Sequence, residues 1–395
     1  MKISTLIETL GVFEPDGYPF LSIYINAEPG QNGRDTFPIW LKTQLSEQGQ
    51  QYKENETELA RYDAVVERIN NYIDQEVDPS ANGIAIFTSV GDSGVFEAVQ
   101  LEVPFPENEF YAYDRPHIFP LARAVHENPR YAVLWADTNK ADIYIFGGET
   151  RIRADVDLEA KVENIQNEVT QSSQPGGWSQ QRFQRRTENF HLQHAKEVVS
   201  ELENIMKKVD VEHLVLCGDE ATIMPILKPQ LSKPLEEKVI ATINMSQYDS
   251  EDEIHEKTLE AVGIEMATRQ AKTVERVNDA AKAAAGMGTL GLEDTLRALA
   301  NGQVEELVVS SNIDAIHYSK REVEKILDEY EPGDDQIPVE TQPIVTIPGE
   351  VADQLIIRAI STSAKIAFVK DDSLLRDAGG VGSILRYNIN ATATG

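Results

Sequence analysis

Apolar strand-like segments that alternate with segments of helical period predict an α/β protein of several domains. Three observations carry that reading. The chain has 395 residues, more than one ordinary hydrophobic core organises. Short runs rich in Val, Ile, Leu and aromatics recur between stretches whose apolar residues step by three and four. Gly- and Pro-rich breaks punctuate the series and suggest boundaries that leave domains of residues 1–127, 128–275 and 276–395.

The first unit reads as mixed α/β. Phe20-Leu21-Ser22-Ile23-Tyr24-Ile25 alternates as a strand should. From about Ile39 to Val77 the chain reads as a long polar helix or a helix pair. Leu41 and Leu45 are four apart, and Leu59, Tyr62, Val66, Ile69 and Ile73 keep helical spacing. Ile84–Phe87 and Val95–Val99 flank Gly91-Asp92-Ser93-Gly94 and predict a hairpin. Val103-Pro104-Phe105-Pro106 and Arg115-Pro116 close the unit.

The second unit opens with the strand Tyr131–Ala136, a turn at Asp137–Lys140 and the strand Ala141–Phe146. Gly147-Gly148 then leads to a third strand around Ile152. Ala195, Val198, Val199, Leu202, Ile205 and Met206 form a helical stripe, followed by the strand His213–Gly218, a short helix and the strand Val239–Asn244. A charged helix from Glu251 to Ala285 ends at Gly286-Met287-Gly288. The third unit then reads helix from Leu292, strand Leu307–Ser310, helix Lys320–Tyr330, helix Gly349–Thr362 and strands at Ala364–Val369 and Ser383–Tyr387, a small α/β sandwich.

Composition narrows the class. Hydrophobic content of 41% and charged content of 26% are those of a globular protein, and no apolar run has the roughly 18–20 residues that span a bilayer. The N-terminal residues do not read as a signal peptide, and a cytoplasmic protein with no membrane partner is expected. The single cysteine, Cys217, sits in an apolar strand and excludes a disulfide framework or a cysteine-rich metal site. A net charge of -30 repels nucleic acid at long range, so an RNA-binding role requires cations concentrated at one contact.

One segment meets that requirement. Gly176-Gly177-Trp178-Ser179-Gln180-Gln181-Arg182-Phe183-Gln184-Arg185-Arg186 reads as a glycine loop followed by a basic helix start. Paired glycines let the main chain approach another molecule closely. Arg182, Arg185 and Arg186 stand at i, i+3 and i+4, one helix face, and guanidinium forks suit phosphates. Trp178 offers a stacking surface to a base. The bland alternative is a surface turn whose arginines pair with acids such as Glu188.

Other features read as structural. His191 and His194 are three apart but have no evident third ligand, so no metal site is expected. Asp137, Asp142 and Asp219 are the carboxylates a two-metal nuclease would need, yet Asp137 and Asp142 bracket a turn where Asp is favoured locally. Gly379-Gly380-Val381-Gly382 precedes a strand, not a helix, and reads as a turn instead of a phosphate cradle. The acidic stretch Asp328–Asp335 reads as a solvated loop.

In this order the parts resemble the archaeo-eukaryotic class I release factor and Pelota superfamily, in its bacterial branch. The segment Gly291–Leu307 looks like the family's helix, glycine turn and strand, and Gly379–Tyr387 like its closing segment. Gly176, Gly177, Ser179, Arg182, Phe183 and Arg185 fall at the spacing of the release factors' Gly-Gly-Gln loop and its basic helix. No counterpart of the stop-codon-reading motifs is found in the N-terminal unit. The resemblance implies an RNase H-like central domain and a C-terminal sandwich similar to kink-turn-binding ribosomal proteins. It implies the ribosome, ribosomal RNA and peptidyl-tRNA as partners, admits a translational GTPase for delivery, and calls for no cofactor.

What the segment does there stays open at this level. In a release factor the loop glutamine helps position water against the peptidyl-tRNA ester, while backbone donors hold the developing oxyanion. Trp178 stands at that position, with Gln180 and Gln181 two and three residues on. A peptidyl-tRNA hydrolase would use Gly176, Gly177 and Gln180. A non-catalytic occupant of the A site, acting in termination, rescue or hibernation, would use Trp178, Gln181, Arg182, Arg185 and Arg186 only to dock on RNA. A tRNA-cleaving enzyme would use Gln180 or Gln181 with Arg182.

Overall fold

The computed structural model describes residues 3–29, 37–147, 160–163, 177–208, 211, 213–245, 249–283, 286–313, 317–319, 344–346 and 349–388. They divide into two compact units: one joins Met1–Asn128 to Ala267–Gly395, and the other comprises Pro129–Gly147 with Ile152–Met266. No helix among the described residues is long and apolar enough to cross a membrane.

In the first unit, α1 (Ile3–Gly11) precedes β1 (Phe20–Asn26), α2 (Phe37–Gly49) and α3 (Glu56–Gln75). Asn55 starts α3 by accepting hydrogen bonds from the N–H groups of Thr57 and Glu58. That break selects the helix pair from the two readings of this stretch. The strands β2 (Gly83–Ser89), β3 (Phe96–Leu101) and β4 (Glu109–Tyr113) complete an antiparallel sheet of order β3-β2-β1-β4. The expected hairpin is β2–β3, pairing Gly83 with Leu101.

The alternating segment is β1, and Phe20 to Ile25 are all buried. Leu21, Ile23 and Ile25 pack with Leu41, Leu45, Tyr62 and Ile69 of α2 and α3. Phe20 and Tyr24 join a second core, to which the last third of the chain contributes. Burial on both faces comes from that long-range partner, which a local period does not register. The strand β4 and the helix α4 (Phe119–Glu127) were not foreseen from the prolines around them.

The other unit is built on β5 (Tyr131–Ala136), β6 (Lys140–Phe146), β7 (Ala160–Glu163), β8 (His213–Cys217) and β9 (Val239–Ile243). Its sheet order is β7-β6-β5-β8-β9. The first three strands form an antiparallel meander, and β8 and β9 run parallel to β5. The strand expected around Ile152 lies outside the described residues. The helix α5 (Gly177–Lys208) places the predicted stripe, Ala195 to Met206, against Ala132, Leu134, Leu214 and Leu216. Two one-turn helices follow, α6 (Met224–Leu227) and α7 (Lys233–Glu236).

The helix α8 (Glu251–Lys282) runs from the second unit into the last third of the chain. There β10 (Gly288–Leu290), α9 (Leu292–Ala300), β11 (Val304–Ser310), β12 (His317–Ser319), β13 (Ile344–Thr346), α10 (Gly349–Ser361), β14 (Lys365–Val369) and β15 (Val381–Leu385) follow. The main sheet has order β10-β15-β11-β14, with β14 parallel to β11. Gly379 and Gly380 have φ of 60° and 78° and form the turn into β15, as their position before a strand required. The helix expected at Lys320–Tyr330 and the acidic stretch Asp328–Asp335 lie outside the described residues.

Candidate functional site

The basic segment lies at the start of α5. This helix begins at Gly177, so Trp178, Ser179, Gln180 and Gln181 are helical, and only the residues before Gly177 remain for a loop. Gly176 lies outside the described residues. The first turn contains no acidic residue, and its N–H groups carry the positive end of the helix dipole. Arg182, Arg185 and Arg186 add three formal charges within the next turns. A positive helix start of this kind is a general device for holding phosphate.

Helical geometry sorts the candidate residues. At 3.6 residues per turn, Trp178, Arg182, Arg185 and Arg186 fall within an arc of about 100°. Farther along, the core stripe of Val198, Leu202 and Ile205 occupies the opposite side. Position 180 lies about 160° from position 182, on the side of the core stripe. Position 181 lies between the two sides. Exposed Lys196 and Lys207 continue the side that bears the arginines. Among the α5 side chains that are described, His194 is the first that is buried, about 25 Å of helix beyond Gly177.

The residues read as structural have local roles. Asp137 accepts from the N–H groups of Asn139 and Lys140, each at 2.6 Å, and shapes the β5–β6 turn. Asp219 accepts from Ala221 and Thr222 at 2.7 and 2.9 Å. Asp142 sits opposite Trp135 in the β5–β6 ladder. Among the described residues no three His, Cys, Asp or Glu side chains gather as a metal site. Burial lowers the His194 pKa, with the Lys140 backbone and Asp137 opposing it, so the ring is neutral core. Burial pushes the Cys217 thiol up to about 12, which makes it an unreactive core residue.

The sequence reading missed a polar seam in the first unit. Asp353 of α10 is buried, and its Oδ1 accepts from the N–H groups of Ile118 and Phe119 at 2.8 and 2.9 Å. Its Oδ2 lies 2.8 Å from Nδ1 of buried His117. The His117 N–H donates to Ser22 Oγ, and the Tyr24 hydroxyl donates to the His117 carbonyl. The helix α4 has no cap from its own neighbours, so a carboxylate 235 residues away serves instead. The available signal was an acid within the apolar run Val351-Ala352-Asp353-Gln354-Leu355-Ile356.

The class follows from the central part of the chain. Residues 116–262 match the family model of the bacterial archaeo-eukaryotic release factors, family 10. Through this segment the chain is similar to the bacterial branch of the release factor and Pelota superfamily. It is similar to eukaryotic peptide chain release factor subunit 1 of Saccharomyces cerevisiae, with 26% identity over 242 residues, 54% of each chain. It thus spans about half the length of the curated relative it matches. Among solved structures, an archaeal translation termination factor aligns at 15% identity over 98% of this chain and 97% of its own, with a TM-score of 0.26. The termination-like factor Dom34 of S. cerevisiae aligns at 11% identity over 78% and 80%, with a TM-score of 0.41.

Proposed function

We propose that the protein is a translation factor of the release factor and Pelota type. It binds the bacterial ribosome at the A site, with the start of α5 near the tRNA acceptor end, and acts in termination, rescue or hibernation. The carrying observation is the placement of Trp178, Arg182, Arg185 and Arg186 on one side of α5, opposite the stripe that anchors it. On a chain of net charge -30, such a cluster gives one defined RNA contact instead of general nucleic-acid affinity.

The domain reading accompanies this. The three domains are residues 1–127, 128–275 and 276–395. The order β7-β6-β5-β8-β9, with an antiparallel meander and two parallel strands, supports an RNase H-like central domain. The four-stranded sheet with α9 and α10 supports a C-terminal sandwich of the kink-turn-binding type. Partners would be ribosomal RNA and peptidyl-tRNA, with a translational GTPase as a delivery factor and the cytoplasm as the site of action.

Occupancy without chemistry ranks first, because Trp178 replaces the glutamine of the release-factor loop and position 180 lies on the core side of α5. Peptidyl-tRNA hydrolysis is the second reading, favoured by the Gly176-Gly177 pair. In the test, purified protein is sedimented with ribosomes. Co-sedimentation is expected, and the combined change of Arg182, Arg185 and Arg186 to Ala should weaken it by tenfold or more on the order expected for lost phosphate contacts. Unchanged sedimentation of this variant overturns the reading. On ribosomes carrying labelled peptidyl-tRNA, an intact complex supports occupancy. Free peptide supports hydrolysis, and a shortened tRNA points to acceptor-end cleavage.

A further inference from the structure

The first unit contains an open pocket of about 770 Å³, bounded by the segment before β1, the end of β4 and α10. Pockets for small ligands span roughly 300–1,000 Å³. Asp353, which lines it, is buried and already holds two N–H groups and His117. Gln354 and Arg358 also line it, one turn apart on α10 and half-buried. Among the described residues neither the Gln354 amide nor the Arg358 guanidinium makes a hydrogen bond or ion pair. A half-buried guanidinium with idle donors is poised for an anion.

The rim has a different character. Arg115 is exposed, and among the described residues its guanidinium makes only a long 3.4 Å contact to the Phe13 carbonyl. Exposed Asp114 and Glu350 stand at the same mouth. Tyr18, Tyr113 and Ile357 supply ring and aliphatic walls. A phosphate dianion would meet these rim acids. A ligand with one carboxylate, one ammonium and an apolar side chain matches these three kinds of lining group.

We propose that this pocket binds a zwitterionic ligand of the amino-acid or short-peptide class. The ligand's carboxylate lies against Arg358 and Gln354, its ammonium near Glu350 and Asp114, and its side chain along Tyr18, Tyr113 and Ile357. The proposal does not depend on the translational reading.

Calorimetric titration of the full chain with glycyl-phenylalanine, its C-terminal amide and AMP tests the idea. Saturable one-site binding of the free dipeptide is expected, at least tenfold weaker for the amide. Arg358→Gln, which retains most of the stem, should weaken binding tenfold or more. Gln354→Glu, which places a like charge beside the ligand carboxylate, should weaken it tenfold and serves if Arg358→Gln does not fold. Absence of saturable dipeptide binding overturns the proposal, as does binding indifferent to both α10 changes. AMP binding tighter than the dipeptide overturns it in favour of a nucleotide.

Discussion

The stripe of α5 and the seam at Asp353 hold their units by opposite means. On α5, Ala195, Val198, Val199, Leu202, Ile205 and Met206 share the work of packing against one face of a sheet. At the seam, a single carboxylate satisfies the start of α4 and the His117 ring. Apolar burial adds up over many atoms and degrades gradually when one is removed. A buried charge with several donors fails all at once, because every donor is left unsatisfied in a medium that cannot replace it. The chain thus has one region tolerant of small changes and one intolerant of a single change.

The largest expected effect is at the seam. Asp353→Ala should destabilise the unit by about 3–5 kcal/mol, because it leaves two buried N–H groups and the His117 ring without their partner. Urea unfolding followed by circular dichroism measures this, and a loss within about 0.5 kcal/mol would erase the contrast. Next comes α5, where Leu202→Ala should cost about 2–5 kcal/mol, as core truncations do. The Arg182, Arg185 and Arg186 triple change, on the other side of the same helix, should stay within about 0.5 kcal/mol in stability. A loss comparable to that of Leu202→Ala would mean the arginines serve the fold, which would undermine their assignment to RNA.

The smallest effect sharpens the comparison by pH. His194 belongs to the apolar side of α5, and its folded pKa lies below the unfolded value of about 6.5. The unfolded chain therefore takes up the proton first. The contribution is fully present above about pH 6.5 and is lost as the pH falls below it, by at most about 1.4 kcal/mol per pH unit. His194→Gln should flatten this part of the stability profile between pH 7 and 5. An unchanged slope in the variant would assign the effect to another group, such as His126, whose pKa burial also lowers.

Much of the fold was legible because it is written locally. The α5 stripe has helical period, the β2–β3 turn has its glycines, and the Gly379-Gly380 turn precedes a strand. The helix pair at Phe37–Gln75 was left undecided because the capping role of Asn55 competes with an otherwise continuous helical pattern. The strand β4 was obscured by neighbouring prolines, although its register with β1 pairs Phe20 with Tyr113. In the candidate site, the residue types and their spacing were readable, whereas the early start of α5 at Gly177 was not. Adjacent glycines weaken a helix locally, and only the long packed stretch that follows outweighs them.

The sequence by itself determined the alternation of strands and helices, the anomalous cationic cluster on an acidic chain, and the superfamily that these parts resemble. Each depends on neighbours within a few turns, where period and composition act directly. Tertiary structure decided which side of α5 is core, by packing Val198, Leu202 and Ile205 against residues of β5 and β8. It also decided that Asp353 would cap a helix 235 residues away, with Arg358 idle in the pocket beside it. Both outcomes come from distant segments packing together, which brings desolvation and long-range hydrogen bonding into play and leaves no periodic trace along the chain.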